Sequence, residues 1–231
     1  MILPFQKSKH CWVTSITAIF LCFAIAISIA VEGNLGLRLG LTEKTLSSME
    51  KKYGSAARKR LESWRELMES NQKRTEKEKL ELVNQFFNRL EFVSDMEHWG
   101  VEDYWATPVE MLATNGGDCE DFSIAKYFTL VEMGVPVSHL KIAYVKALNL
   151  NQAHMVLTYY PTVGSIPLVL DNLIPEIKST SDRKDLAPVY SFNGEGLWLA
   201  KELGLGRNVG GSDRIGLWRS LTGRIANEAQ N

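Results

Sequence analysis

The hydrophobic pattern changes its period near residue 135, and this change constrains the fold more than any other feature of the chain. Before it, apolar residues recur every three or four positions, which predicts helices. After it, short runs of β-type residues alternate with turn residues, which predicts strands. The helical segments are 42–71, 75–93 and 118–134, and the strand segments are 140–148, 153–160 and 168–173. The sequence therefore predicts an α+β domain with helices packed on an antiparallel sheet.

Local signals place several element boundaries. Thr75 and Glu78 have the spacing of a capping box, and Thr107 followed by Pro108 favours the start of a short helix. Gly116 and Gly117 end that short helix. A hairpin around 189–199 and a helix over 214–228 complete the predicted domain.

The N-terminus has the pattern of an export signal. Residues 11–31 carry no charge and are almost wholly apolar, and Lys7 and Lys9 precede them. Small residues before position 31 favour cleavage after Ala30, which would leave Val31 as the mature N-terminus. The apolar stretch is also nearly long enough to remain as a membrane anchor. We therefore predict that 1–30 is a signal peptide or signal anchor, and that 31–231 is one domain in the periplasm.

Charge and cysteine content narrow the function. Without Lys7 and Lys9 the chain has 24 basic and 27 acidic side chains, a net charge of −3 that does not indicate a nucleic-acid partner. Two of the three cysteines, Cys11 and Cys22, lie in the leader. Cys119 is then the single thiol of an exported domain and has no internal disulfide partner. A lone thiol in an oxidising compartment suggests reactive chemistry.

The surroundings of Cys119 favour a nucleophile. If Asp118 is the N-cap, Cys119 is the first residue of a helix, where free amides and the helix dipole stabilise a thiolate. The two glycines before Asp118 would let a substrate backbone approach closely. The amide of Cys119 is a candidate donor to an oxyanion.

Three acids beside the thiol have two interpretations. Asp118, Glu120 and Asp121 would raise the pKa of Cys119 by charge repulsion. They could simply suit a helix N-terminus, although this explains Glu120 poorly. They could instead hold a hard cation such as Ca²⁺, which prefers oxygen ligands. The residues alone leave both interpretations open.

A histidine and an aspartate follow in strand-like segments. His154 lies in the second predicted strand and Asp171 at the end of an apolar run in the third. A strand histidine is often structural, and Asp171 could merely cap a turn. The order cysteine, histidine, aspartate nevertheless suits a thiol nucleophile, its base and an orienting carboxylate.

Several ordered motifs resemble the bacterial transglutaminase-like cysteine proteinases, a branch of the papain superfamily. The resemblance covers most of residues 85–225. Its motifs lie at 98–108, 117–122, 125–127, 153–157, 170–173 and 193–198.

The resemblance implies a papain-like, transglutaminase-like fold with a catalytic triad of Cys119, His154 and Asp171. It also implies Ca²⁺ bound through Asp118, Glu120 and Asp121. The expected activity is a periplasmic endopeptidase that cuts the N-terminal region of a large surface adhesin at an Ala-Ala bond. The expected partner is an inner-membrane cyclic di-GMP receptor. Two alternatives remain: a transglutaminase or N-acyltransferase with the same triad, and a non-catalytic binding domain.

Overall fold

The computed structural model describes residues 39–162, 164–200 and 206–230. The helices are α1 (Glu43–Tyr53), α2 (Ser55–Ser70), α3 (Glu76–Phe87), α4 (Asp95–His98), α5 (Pro108–Thr114), α6 (Cys119–Glu132) and α7 (Gly216–Gln230). The strands are β1 (Glu91–Phe92), β2 (Gly116–Gly117), β3 (Leu140–Ala147), β4 (Gln152–Tyr159), β5 (Leu168–Leu170), β6 (Lys178–Ser179), β7 (Leu186–Phe192), β8 (Leu197–Leu199) and β9 (Arg207–Gly210).

The predicted signal or anchor segment, 1–30, lies outside the described residues. Among the residues that are described, none of the helices is both long enough and apolar enough to cross a membrane.

The strands after α6 form one antiparallel sheet of seven, in the order β6-β5-β4-β3-β7-β8-β9. This confirms the predicted α+β architecture. The three predicted strands are β3, β4 and β5, and the predicted hairpin at 189–199 is formed by β7 and β8. The edge strands β6 and β9 were not predicted, because segments of two and four residues carry too little alternation to detect.

The N-terminal helices are shorter than predicted. The segment 42–71 forms two helices, because Gly54 between them has φ = 86°, outside the helical region. The capping box at Thr75 is present, but α3 ends at Phe87 and not at residue 93. The chain then extends so that β1 pairs in parallel with β2, the Gly116–Gly117 segment that precedes Cys119.

Helix α6 lies at the centre of the domain. Most of its side chains are buried, including Phe122, Ile124 and Phe128, which belong to the main hydrophobic core. Polar contacts also fix the helix: Trp64 Nε1 of α2 donates to Thr129 Oγ1 at 2.9 Å. Helix α6 as a whole is therefore held by a packed scaffold, as a precise site on it would require.

Candidate active site and metal centre

The approach to Cys119 requires both glycines. Asn115 ends α5 in the left-handed conformation, and the next two residues pair with β1. A Cβ on Gly116 would lie 2.8 Å from the Glu91 carbonyl oxygen, and a Cβ on Gly117 would clash with Asp121 Oδ2. Asp118 is the N-cap and Cys119 the first residue of α6, as predicted.

His154 and Asp171 form a buried pair across two neighbouring strands. His154 Nε2 lies 2.8 Å from Asp171 Oδ1, and both side chains are almost completely excluded from solvent. Because an ionised carboxylate can only accept, Nε2 carries the proton of this bond. The other ring nitrogen, Nδ1, is therefore the one available to exchange a proton with a thiol.

Several contacts keep Asp171 ionised. Burial by itself would raise the pKa of this carboxyl, but the hydrogen bond from His154, the amide of Leu173 and the Arg183 guanidinium lower it to about 2. Asp171 is therefore a carboxylate over the whole physiological pH range. An anion in this position orients the imidazole and stabilises its protonated form.

The predicted nucleophile lies beside the predicted base. The main chain of Met155, which follows His154, lies near the Cys119 thiol. The thiol itself donates to Glu120 Oε2 at 3.1 Å. Burial raises the pKa of Cys119 far above its usual range, and the Glu120 carboxylate raises it further. In the absence of a counter-charge, this environment therefore favours the neutral thiol.

Five acidic side chains gather next to Cys119, two more than the sequence predicted. Asp118, Glu120 and Asp121 are joined by Asp95 of α4 and by Asp103 of the following loop. Oxygens of Asp95, Asp118 and Asp121 lie within 4.8 Å of one another, and so do those of Asp95, Asp103 and Glu120. Asp95 thus connects the two groups. The segment from Asp95 to Ala106 is rich in acidic residues, and this was the one sequence feature that pointed to further ligands.

The electrostatics of the cluster call for a cation. Burial, followed by a hydrogen bond to Glu120 and repulsion from the same carboxylate, raises the pKa of Asp118 well above its usual range. Burial also raises the pKa of Asp95, to about 6, and the pKa values of Asp103 and Asp121. Burial of several carboxylates in one place is unfavourable unless a positive charge balances them.

Unsatisfied oxygens point to the same conclusion. Asp95 Oδ1 and Asp118 Oδ1 are buried and have no hydrogen-bond partner. All the ligand atoms available from the five acids are oxygens, which suits a hard cation such as Ca²⁺. The residues therefore fit a bound calcium ion.

Asp121 also has the capping role that the sequence suggested. Its Oδ1 accepts from the Ala106 amide at 2.7 Å, and its Oδ2 accepts from the Asp118 amide at 3.2 Å. The two interpretations of the acids are thus compatible, because Asp121 orders the loop and the helix start around the same cluster.

Comparisons with known proteins agree with this geometry. Residues 53–186 match the bacterial transglutaminase-like cysteine proteinase family. The structure of Legionella pneumophila LapG is similar, with 48% sequence identity and a TM-score of 0.70 over 79% of this chain and 96% of that one. An EGTA-treated LapG gives the same values.

A calcium-bound structure of Legionella pneumophila LapG is also similar. Its identity is 47% and its TM-score 0.68, over 79% of this chain and 98% of LapG. A search of the curated proteins found no match. The family match, the identity to LapG and the fold agree, so the chain belongs to the bacterial transglutaminase-like cysteine proteinases and is a cysteine protease.

Proposed function

We propose that this protein is a calcium-dependent cysteine endopeptidase of the periplasm that releases a large surface adhesin by cutting its N-terminal region at an Ala-Ala bond. The observation that carries the proposal is the buried His154–Asp171 pair beside Cys119 at the start of α6. The 48% identity to LapG over nearly the whole of that protein supports the same assignment.

The proposed mechanism uses the triad in the usual order. His154 Nδ1 accepts the proton of Cys119, and the thiolate attacks the scissile carbonyl carbon. The amide of Cys119, in the first turn where amides have no acceptor within the helix, would donate to the oxyanion. The imidazolium then gives its proton to the leaving amine, and water hydrolyses the thioester. Asp171 remains ionised throughout and fixes the imidazole tautomer.

Asp95, Asp103, Asp118, Glu120 and Asp121 would hold Ca²⁺ next to the nucleophile. When bound, the ion supplies positive charge that offsets these acids and so favours the thiolate. The protein itself contributes the ordering of the cluster, because the amides of Tyr104 and Ala106 donate to Asp95 and Asp121. The calcium-bound form of LapG supports this assignment.

The proposed biological role is biofilm dispersal through loss of the adhesin from the cell surface. We further propose that an inner-membrane cyclic di-GMP receptor sequesters the protease through its periplasmic domain when the nucleotide is abundant. Residues 1–30 would direct the protein to the periplasm, either as a signal peptide cleaved after Ala30 or as a retained membrane anchor. N-terminal sequencing of the exported protein distinguishes the two, since cleavage gives a chain that starts at Val31.

The deciding experiment is incubation of the purified protein and Ca²⁺ with an adhesin N-terminal fragment that contains an Ala-Ala bond. Mass spectrometry should find hydrolysis at that bond by the wild type and none by Cys119→Ala. The same reaction with an added primary amine tests the acyltransferase alternative. Incorporation of the amine in place of hydrolysis would contradict the proposal, as would an uncut fragment.

A further inference from the structure

Arg183 is a buried cation that contacts the predicted triad and has no role in the mechanism above. Its side chain is 2% exposed and lies between two carboxylates. Arg183 Nη2 donates to Asp171 Oδ2 at 2.7 Å and to Asp185 Oδ2 at 2.9 Å. Arg183 Nε donates to Asp185 Oδ1 at 3.0 Å. The guanidinium is therefore fixed on one side by Asp185 and faces Asp171 on the other.

The contacts of Asp171 are divided between its two oxygens. Oδ1 accepts from His154 Nε2 at 2.8 Å and from the Leu173 amide at 3.0 Å. Oδ2 accepts from Arg183. A carboxylate held at only one oxygen could turn about its Cβ–Cγ bond and lose its alignment with the imidazole. A charge-assisted bond to the second oxygen prevents that rotation.

We propose that Arg183 is a positioning residue for catalysis: it fixes the plane and the charge of Asp171, and through Asp171 the orientation of the His154 ring. The proposal rests on the proposed function, because it requires that His154 serves Cys119. Asp185 supports Arg183 from the solvent side and does not contact the triad histidine directly.

The charges around Asp171 determine what loss of Arg183 would do. Arg183 and His154 contact it directly, Lys126 of α6 faces it at longer range, and Asp185 lies behind Arg183. Without Arg183, Oδ2 would be buried and unpaired, and Asp185 would add a negative charge nearby. Asp171 would then become protonated at a higher pH. A neutral Asp171 stabilises the imidazolium less well, so activity would fail earlier on acidification.

The test compares two variants. Arg183→Met keeps the approximate length of the side chain and removes the charge, whereas Arg183→Lys keeps a positive charge as a single ammonium group in place of the guanidinium. All measurements use saturating Ca²⁺ and the adhesin fragment. Arg183→Met should lower kcat about 10- to 100-fold, the effect of losing a hydrogen bond to a charged group, with KM within about twofold. The acid limb of its pH–activity profile, where activity falls at low pH, should move to higher pH. Arg183→Lys should recover part of both changes.

Arg58→Met is the matched control. Arg58 also contacts several carboxylates, those of Glu43, Glu50 and Glu62, but it lies on the partly exposed face of α2. This variant should leave kcat and the pH profile unchanged. A merely structural role for Arg183 would lower thermal stability without moving the acid limb or separating kcat from KM.

A second readout does not depend on the substrate. NMR of the His154 ring should show the Nε2 proton of the Asp171 hydrogen bond at low field in the wild type. That signal should be lost or shifted in Arg183→Met and unchanged in Arg58→Met. If the wild type cuts no fragment yet shows this pattern, the proposed function fails and the positioning role stands. A folded Arg183→Met with wild-type kcat, acid limb and His154 signal would overturn the inference. If Arg183→Met does not fold, the same measurements on Arg183→Lys decide.

Discussion

Two opposing effects act on the pKa of the Cys119 thiol. Its place as the first residue of α6 favours the thiolate through the helix dipole. Burial and the carboxylates of Glu120 and Asp118 have the opposite effect and raise the pKa of the thiol. Without a counter-charge the second influence is the larger. For Cys119 to act as the proposed nucleophile, its electrostatic surroundings must therefore change, which links the acid cluster to the proposed reaction.

The first prediction concerns the nucleophile itself. Cys119→Ala should abolish proteolysis, because loss of a nucleophile typically lowers the rate by several orders of magnitude. The fold should persist, since the side chain lies at the edge of the core and forms no disulfide. Peptide cleavage and a thermal melt, measured on the same preparation, check this. A variant that keeps more than about a tenth of wild-type activity would exclude Cys119 from the chemistry.

The second prediction concerns metal removal. EGTA should stop proteolysis, and Ca²⁺ should restore it. Mg²⁺ should restore it poorly, because it demands octahedral geometry and loses its water reluctantly. Titration of the chelated protein with each ion, followed by activity, gives the result directly. Full activity in EGTA would contradict the proposed calcium dependence.

The third prediction separates the ligands that the sequence suggested from those that the fold added. Asp95→Asn and Asp103→Asn should weaken Ca²⁺ binding in calorimetry as clearly as Asp118→Asn does. Asp213→Asn, at an exposed site in another part of the fold, is the matched control and should bind as the wild type does. Wild-type affinity in both Asp95→Asn and Asp103→Asn would restrict the site to the acids around Cys119.

At the scale of elements, close approach of backbone segments shapes the site. The β1–β2 pair brings residues 91–92 against the two glycines, and Gly117 lies against the Asp121 carboxylate. This packing sets where α6 begins and therefore where the thiol lies. It depends on the absence of a Cβ at two consecutive positions.

The fourth prediction follows from that packing. Gly117→Ala should lower activity about 100-fold, because the new Cβ displaces Asp121 and with it the start of α6. Gly223→Ala is the matched control, since its Cβ would meet nothing within 4 Å. Alanine at that helix position should stabilise the folded protein by about 0.5–1 kcal/mol and leave the activity unchanged. Equal activity in the two variants would show that the close contact is unimportant.

Elements with strong local signals were predictable from the sequence. The capping box at Thr75, the short helix after Thr107 and the start of α6 at Cys119 depend on residues a few positions apart, and all three are present. The strands β3, β4 and β5 have clear β-type composition. The end of α3 at Phe87 was not predictable, because it depends on pairing with β2, more than twenty residues later.

The additional site residues were hidden for the same physical reason. Asp95 of α4 and Asp103 of the following loop reach the cluster through tertiary packing, and Arg183 reaches Asp171 from beyond β6. No spacing in the sequence encodes such long-range contacts. The order of Cys119, His154 and Asp171 in the sequence did indicate a candidate site. His154 lies in β4 and Asp171 directly follows β5, and these two strands are antiparallel neighbours.

At the scale of the whole molecule, the C-terminal helix is fastened to the loop that supplies the acid cluster. Arg224 of α7 contacts the Glu110 carboxylate, the Tyr104 hydroxyl and the Trp105 carbonyl. Thr107 Oγ1 donates to Glu228 Oε1 at 2.8 Å. The amides of Tyr104 and Ala106 in turn donate to acids of the cluster. The last helix of the chain therefore helps to order a site near its middle.

The final prediction links stability to pH at the junction between α7 and residues 104–110, where Arg224 and Glu228 make the contacts just described. Burial raises the pKa of Glu228 from 4.5 to about 7 in the folded protein. Folding thus favours the protonated carboxyl, and its contribution to the free energy of unfolding is fully present below pH 4.5. That contribution is lost as the pH rises through 7, where the buried carboxylate costs about 1–3 kcal/mol. Glu228→Gln removes the titration and keeps an acceptor for the Thr107 hydroxyl.

Thermal melts of wild type and Glu228→Gln in saturating Ca²⁺ should therefore diverge with pH. The variant should be more stable at pH 8, and the difference should shrink towards pH 5. Glu81→Gln, at an exposed position of α3, is the matched control and should follow the wild type at both values. A Glu228→Gln variant that is less stable at pH 8 than at pH 5, relative to wild type, would mean that the ionised carboxylate strengthens the junction through Arg224. Because α7 fastens the loop of Asp103 and Ala106, stability at this junction and the order of the acid cluster should change together.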